Sequence, residues 1–319
     1  MINNFGMYMM LNILSLIILV LILLLGVAFL TLLERKILSY VQMRKGPNKV
    51  GIIGVFQPFS DAIKLINKEL FYVYKSNYNL FYLCPLVMFM FMMMMWMLFP
   101  YITNIYFLNY SVLIMIILMT ISGYVVIFMG WSANSVYSMI GSMRSVSQML
   151  SYEVSFIFII LILMVMSESY SFMDFLKYQS YVWYLIILYP LFLMFFISIL
   201  AELNRSPMDF IEGESELVSG FNIEYFSGGF TLIFLSEYGM IIFFSYISVL
   251  MFTNLLELSM FYMFIFLNLI CSMIIFMRGM LPRMRYDELM YLCWKIILPM
   301  ILFYVIFIIG FKFMLVLIN

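Results

Sequence analysis

The chain has 319 residues, is 66% hydrophobic and 10% charged, and its 16 basic and 16 acidic residues cancel to a formal net charge of zero. Soluble globular domains carry about a quarter charged residues, so folding in water as a globular domain is excluded. There is no His, which removes His-ligated haem, His-ligated metal and His acid–base chemistry together.

Eight apolar runs follow one another, at about 8–33, 80–100, 109–131, 145–167, 181–201, 228–253, 258–277 and 295–317. A helix needs roughly 20 apolar residues to cross a ~30 Å hydrocarbon core. The expectation is an all-α integral membrane protein, with residues 1–319 forming a single polytopic domain of about eight transmembrane helices. The first run is too long for a signal-peptide core and ends in charges, so it reads as the first span.

After the first span come Gly46, Pro47 and Asn48, a turn signal, and then Pro58, which suits the first position of a helix. Phe59, Ala62, Ile63, Ile66 and Leu70 fall on one face of that helix, with Asp61, Lys64 and Lys68 on the other. This predicts an amphipathic helix over about 58–71 lying on the membrane surface. A headgroup anchor is the plainer reading; the alternative is that Asp61 and Lys64 line an entrance.

Charged residues within spans are costly and usually mark a path or a site. Here the acidic ones are Glu153 in the fourth span and Glu237 in the sixth, with Glu34 and Glu202 at the inner ends of the first and fifth. On the fourth span Arg144, Gln148, Ser151 and Ser155 share one face, and Glu153 points about half a turn away from Arg144. Glu153 therefore requires a partner, or water, on another span.

The fifth connection reads ELNRSPMDFIEGESELVSGFNIE from Glu202 to Glu224. Glu202, Asp209, Glu212, Glu214, Glu216 and Glu224 are interleaved with apolar residues, which predicts partial burial. Crowding and desolvation both raise carboxyl pKa values toward neutral, which suits groups that take up and release protons. Docking to a basic partner is the alternative. The seventh connection is basic, with Arg278, Arg283 and Arg285, and fits anionic lipid or a partner subunit.

All the basic residues except Lys177 and Lys312 lie on odd-numbered connections. The positive-inside rule then puts those connections on the side of synthesis and both termini opposite. Cys84, Cys271 and Cys293 are far apart and form no CxxC pair, so they read as buried apolar residues. No GxxxxGK or GxGxxG phosphate motif occurs, and nothing suggests a nucleic-acid partner. Any redox cofactors would belong to other subunits. The Met-rich, Ala-poor usage points to an AT-rich, organelle-type gene.

Four segments, in this order, closely resemble one family. They are LLERKILSYVQMRKGPNKVGIIGVFQPFSDAIKL, SMRSVSQMLSYEVS, NRSPMDFIEGESELVSGFNIEY and LPRMRYDELMYLCWK. The family is chain 1 of NADH–ubiquinone oxidoreductase, a mitochondrially encoded core subunit of respiratory complex I, and the usage resembles insect versions. The resemblance covers nearly the whole chain. It implies a multi-pass protein of the mitochondrial inner membrane, with odd connections in the matrix and both termini toward the intermembrane space. It implies partners in the quinone-site peripheral-arm subunits, neighbouring membrane subunits and lipids. Ubiquinone would be the substrate, while FMN, the iron–sulfur clusters and NADH would be held by partner subunits.

Carried over by motif, Glu34, Arg35, Asp61, Lys64, Arg205 and Phe221 match residues of the ubiquinone chamber. Glu153, Glu202, Asp209, Glu212, Glu214, Glu216, Glu224 and Glu237 match an acidic path toward the pumping subunits. Arg278, Arg283 and Arg285 match the interface with the peripheral arm. Met208, Ile211, Ser39, Ser145, Ser147 and Tyr291 depart from the family's usual residues, and none of these changes removes a charged position. From the residues alone, a stand-alone transporter or proton channel suits intramembrane carboxylates equally well, and a scaffold is the third possibility. The absence of an internal repeat leans against a transporter, and the resemblance favours the redox-pump subunit.

Overall fold

The computed structural model describes residues 2–69, 71, 73–98, 100, 108–209 and 220–318; it is helical, with no strand among them. Glu212, Glu214 and Glu216 lie outside the described residues. Among the described residues, seven helical stretches are long and apolar enough to cross a membrane, and one further apolar helix is shorter. The chain is an all-α membrane protein.

Helix α1 (Ile2–Val41) continues past its apolar run, so Glu34 and Arg35 project from rigid helix. Helix α2 (Gln57–Ile66) is the surface helix, opened by Pro58. It stops short of residue 71: Asn67 caps it, its N–H reaching Ile63. Phe59 meets Phe29 of α1 edge to face at 6.0 Å, while Ile63 and Ile66 are left exposed. Helix α3 (Tyr78–Trp96) and helix α4 (Ser111–Ala133) follow.

Asn134, in left-handed conformation at φ 49°, ends α4, and helix α5 (Val136–Ser167) begins directly. It starts well before the apolar run at 145, because Ser138, Ser142 and Ser145 bury their hydroxyls on carbonyls one turn back. Gly130 lets α4 and α5 cross closely: a Cβ there would sit 2.4 Å from Ser142 Cβ. Since Ser142 Cβ is fixed by its helix, Gly130→Ala is expected to cost ~1–3 kcal/mol through overpacking. A matching fall in thermal stability checks this, and an unchanged midpoint would show that the crossing relaxes freely.

Helix α6 (Phe172–Tyr178) is capped by Ser171, whose Oγ accepts from Asp174 N at 3.3 Å. The fifth crossing is broken into α7 (Tyr184–Ile187) and α8 (Tyr189–Glu202). Leu188 leaves helical geometry between them, and Pro190 begins the new helix where its missing N–H costs nothing. Helix α8 alone, at about 1.5 Å per residue, is shorter than a ~30 Å bilayer core.

A 3₁₀ turn, Gly220–Glu224, leads into helix α9 (Ser227–Phe252). Tyr225 anchors this end of the fifth connection. Its ring stacks on Phe81 at 4.3 Å, and its hydroxyl lies 3.2 Å from Ser132 Oγ. Burial pushes its phenol pKa up, so it stays a neutral hydrogen-bonding group. Helix α10 (Leu255–Leu258) and helix α11 (Met260–Met280) come next.

The last crossing begins as α12 (Tyr286–Tyr291), widens to a π-helical turn at Leu292–Ile297, and continues as α13 (Leu298–Ile318). The widening precedes Pro299, which cannot donate to the carbonyl four residues back.

Helices α5 and α9 are the most enclosed, and α1, α13 and α11 the least. Helix α5 packs on α4, α8 and α13, and α9 on α3, α11 and α1. The two innermost helices are therefore those that carry Glu153 and Glu237.

Candidate functional site

The site begins where α1, α11 and α9 meet. Glu34 of α1 is 5% exposed, and its Oε1 forms an ion pair with Arg278 in the last turn of α11. Tyr238 of α9 donates its hydroxyl to Glu34 Oε2 at 2.5 Å. The Arg205 guanidinium lies over the opposite end of this group, 4.7 Å from the Tyr238 ring centroid. Its Nη2 is 3.7 Å from Glu237 Oε2. Arg278, Glu34, Tyr238, Arg205 and Glu237 thus form a continuous ladder in which each acid faces a cation or a phenol. Burying single charges would be costly; alternating signs offset that cost.

On the outer flank of the ladder, Arg35 Nη1 pairs with Asp61 Oδ2 at 2.5 Å, tying α1 to α2. Gln57 Nε2 donates to Asp61 Oδ1 at 3.0 Å. Lys64 is exposed on the same helix. Of the residues expected around a chamber, the structure brings together Glu34 and Arg205 through Tyr238, and Arg35 with Asp61. Phe221 lies in the 3₁₀ turn Gly220–Glu224.

Inward from Arg205 and Glu237 is a cavity of about 60 Å³ lined also by Glu202, Asp209, Ser122 and Ser236. Asp209 is 4% exposed and lies 3.6 Å from Arg283 Nη2. A smaller cavity of about 30 Å³ between α4 and α5 is lined by Glu153, Thr120 and Glu202. Glu153 Oε1 and Glu202 Oε2 are buried without a hydrogen-bond partner among the described residues. A water needs roughly 10–15 Å³ of such space, so both cavities have room for water beside these oxygens. Glu202, on another span, lines the same cavity as Glu153.

Helix α5 holds the two loops that flank the site. Gln148 Nε2 donates to the carbonyls of Ala201 at 2.9 Å and Met208 at 2.7 Å, on either side of Glu202 and Arg205. Ser147 Oγ is 2.8 Å from Tyr286 OH, and Tyr152 donates to Leu289 O at 3.2 Å. The two loops also bond directly, Met284 N donating to Pro207 O at 2.9 Å.

Arg283 thus belongs to the site through Asp209. Arg278 belongs to it through Glu34. Arg285 does not: it pairs with Asp287 at 3.4 Å, and both side chains are largely exposed. Glu224 is half-buried at the far end of the loop.

Sequence reasoning missed Tyr238 and the clamping role of Gln148. Tyr238 sits beside the intramembrane Glu237, the one local signal that could have raised it. Among the described residues no cluster of acids and thiols could hold a metal ion. Cys271 and Cys293 are buried, donating weakly to Ser245 Oγ at 3.0 Å and Ser151 O at 3.2 Å.

The fold and this ladder define a class: a multi-pass helical membrane protein whose interior carries paired carboxylates and arginines leading to water-sized cavities. More specifically, the chain belongs to the NADH dehydrogenase family, whose model matches residues 14–309. It is 47% identical over 303 residues to the NADH-ubiquinone oxidoreductase chain 1 of Aedes aegypti, covering 95% of this chain and 96% of that one. It is 49% identical over 301 residues to the chain 1 of Apis mellifera ligustica, covering 94% and 97%. The lamprey Lampetra fluviatilis chain 1 is 40% identical over 292 residues, covering 90% of this chain and 91% of its own length.

Proposed function

We propose that this chain is the quinone-site membrane subunit of a proton-pumping NADH:ubiquinone reductase, respiratory complex I. It would form one polytopic domain of the mitochondrial inner membrane, with odd-numbered connections in the matrix and both termini opposite. Peripheral-arm subunits would hold NADH, FMN and the iron–sulfur clusters and carry out electron transfer. Neighbouring membrane subunits would take up the coupling signal.

One observation carries this reading. The charged ladder from Arg278 and Glu34 through Tyr238 and Arg205 to Glu237 ends at a cavity that also holds Glu202 and Asp209, with Glu153 beyond it. A space of about 60 Å³ suits a few waters and not a quinone ring, since sites for such ligands span roughly 300–1,000 Å³. These cavities therefore favour proton handling. The quinone chamber would be completed against partner subunits, with its wall and mouth along Glu34, Arg35, Asp61, Lys64, Arg205 and Phe221.

Quinone reduction at the top of such a chamber takes up two electrons and two protons; the electrons bring negative charge, which acts on the ladder until the protons neutralise it. Arg205 and Tyr238 would pass that change to Glu237 by electrostatic coupling. Glu202 and Glu153 would respond by exchanging protons with cavity water. Residues 212–216 of the acidic loop belong to the same path, and Arg283 and Arg285 would face the peripheral arm.

Glu202→Gln and Glu153→Gln are expected to lower coupled NADH:quinone turnover by about tenfold or more, toward the 10²–10⁴-fold that a positioned proton-transfer group typically contributes. NADH oxidation by a hydrophilic acceptor at the flavin should stay intact. Coupled turnover at the normal rate in either variant would remove that residue from the path.

A further inference from the structure

The two cavities share a wall. Met119 of α4, Met149 of α5 and Glu202 of α8 line both of them. Ser122, Ser236, Asp209 and Glu237 lie on one side only, and Thr120, Tyr124 and Glu153 on the other. The three residues common to both cavities thus comprise one polar group, the Glu202 carboxyl, and two thioether side chains. At roughly 10–15 Å³ per water, the larger cavity has room for about four waters and the smaller for about two. One oxygen of Glu153 and one of Glu202 are buried with no hydrogen-bond partner among the described residues. An unmet buried acceptor costs ~1–3 kcal/mol, so these oxygens mark where water belongs.

We propose that Met119 and Met149 form an apolar gate between the two water cavities. With the gate closed, the waters beside Glu237 and those beside Glu153 connect only through the Glu202 carboxyl. A proton arrives on one Glu202 oxygen from the Glu237 side, and a proton leaves to water on the Glu153 side, so the carboxyl returns to its starting charge. Movement of either thioether lets water bypass Glu202 and short-circuits this ordered step.

Apolar constrictions block conduction by shedding water. Met suits such a position because its unbranched chain has three rotatable bonds and repacks without strain. The frame around it is hard. The neighbouring Gln148 fixes the backbone on both sides of Glu202 through the carbonyls of Ala201 and Met208. The gate can move while the carboxyl's anchor does not. This proposal rests on the proton-path reading above.

The test uses the intact complex in sealed proteoliposomes, with protons pumped per NADH oxidised and quinone turnover measured on the same sample. Activity is normalised to assembled complex. Met149→Ser shortens and wets the wall; it is expected to leave turnover within about twofold while protons pumped per NADH fall by roughly half or more. Met149→Leu keeps an apolar wall of similar size and is expected to retain the normal ratio. Met119→Ser, on the facing helix with different neighbours, should reproduce the leak and serves if Met149→Ser does not assemble. A normal pumping ratio in the assembled Ser variants, or an equal loss in Met149→Leu, overturns the gate. Glu202→Gln run in parallel separates the two levels. If it is also normal, the proton path itself fails; if it is impaired while the Ser variants pump normally, only the gate fails.

Discussion

Replacing Arg278 by Met should destabilise this protein by on the order of 3 kcal/mol, the scale for breaking one side of a buried ion pair. Glu34 is 5% exposed and receives Arg278 on one oxygen and Tyr238 on the other. Removing the guanidinium leaves a buried carboxylate with a single neutral donor among the described residues, the Tyr238 hydroxyl. The penalty comes from the stranded charge, so it should vanish largely when that charge is removed as well. Arg278→Met with Glu34→Gln is therefore expected to recover most of the lost thermal stability, since a Gln carbonyl can still accept from Tyr238. Thermal inactivation of the assembled complex measures both. If the double variant is as unstable as the sum of the singles, packing and not charge is what Arg278 provides. Arg278 keeps about a third of its side chain in contact with solvent, which places the effect toward the lower end of the ~3–5 kcal/mol range.

The second large effect is expected at Gln148. Its Nε2 is shared by two carbonyls, at 2.9 and 2.7 Å, and the residue is fully enclosed. Gln148→Leu removes both donors within the membrane interior, at ~1–3 kcal/mol for each carbonyl left unmet. Ala201 O keeps backbone donors, the Leu203 N–H and the Asn204 N–H, the latter at 3.2 Å, so the loss falls mainly at Met208. Gln148→Glu should be worse, because a carboxylate would turn acceptors toward acceptors. The expected readout is faster hydrogen exchange across residues 200–209, together with loss of coupled turnover. Unchanged exchange there would show that the turn after α8 holds its shape without the clamp.

Much of the architecture was legible because it rests on sums over many residues. A crossing needs about 20 apolar residues, and long runs of Leu, Ile, Met and Phe announce themselves whatever their neighbours do. The charged positions inside or at the ends of the runs were equally visible, since a Glu at membrane depth is expensive wherever it points. Helix ends were less legible. Helix α5 starts at Val136 because serine hydroxyls satisfy themselves on their own helix, which makes a polar-looking stretch as helical as an apolar one. The fifth crossing splits at Leu188 because Pro190 restarts the helix, and a continuous apolar run conceals that break. The surface helix stops at Ile66 although its apolar spacing continues.

The sequence by itself determined the membrane-spanning class, the membership of a family through four ordered motifs, and which carboxylates would have to be explained. Only the tertiary structure decided what those carboxylates meet. Glu34 and Arg278 are 244 positions apart and Glu34 and Tyr238 are 204. Helical periodicity tells which face of one helix a side chain occupies, and nothing about which other helix covers that face. The partners of Glu34, the clamp made by Gln148 and the wall shared by Met119, Met149 and Glu202 arise from packing several helices at once. Hydrophobicity is a property of each segment, whereas pairing and enclosed volume are properties of their arrangement.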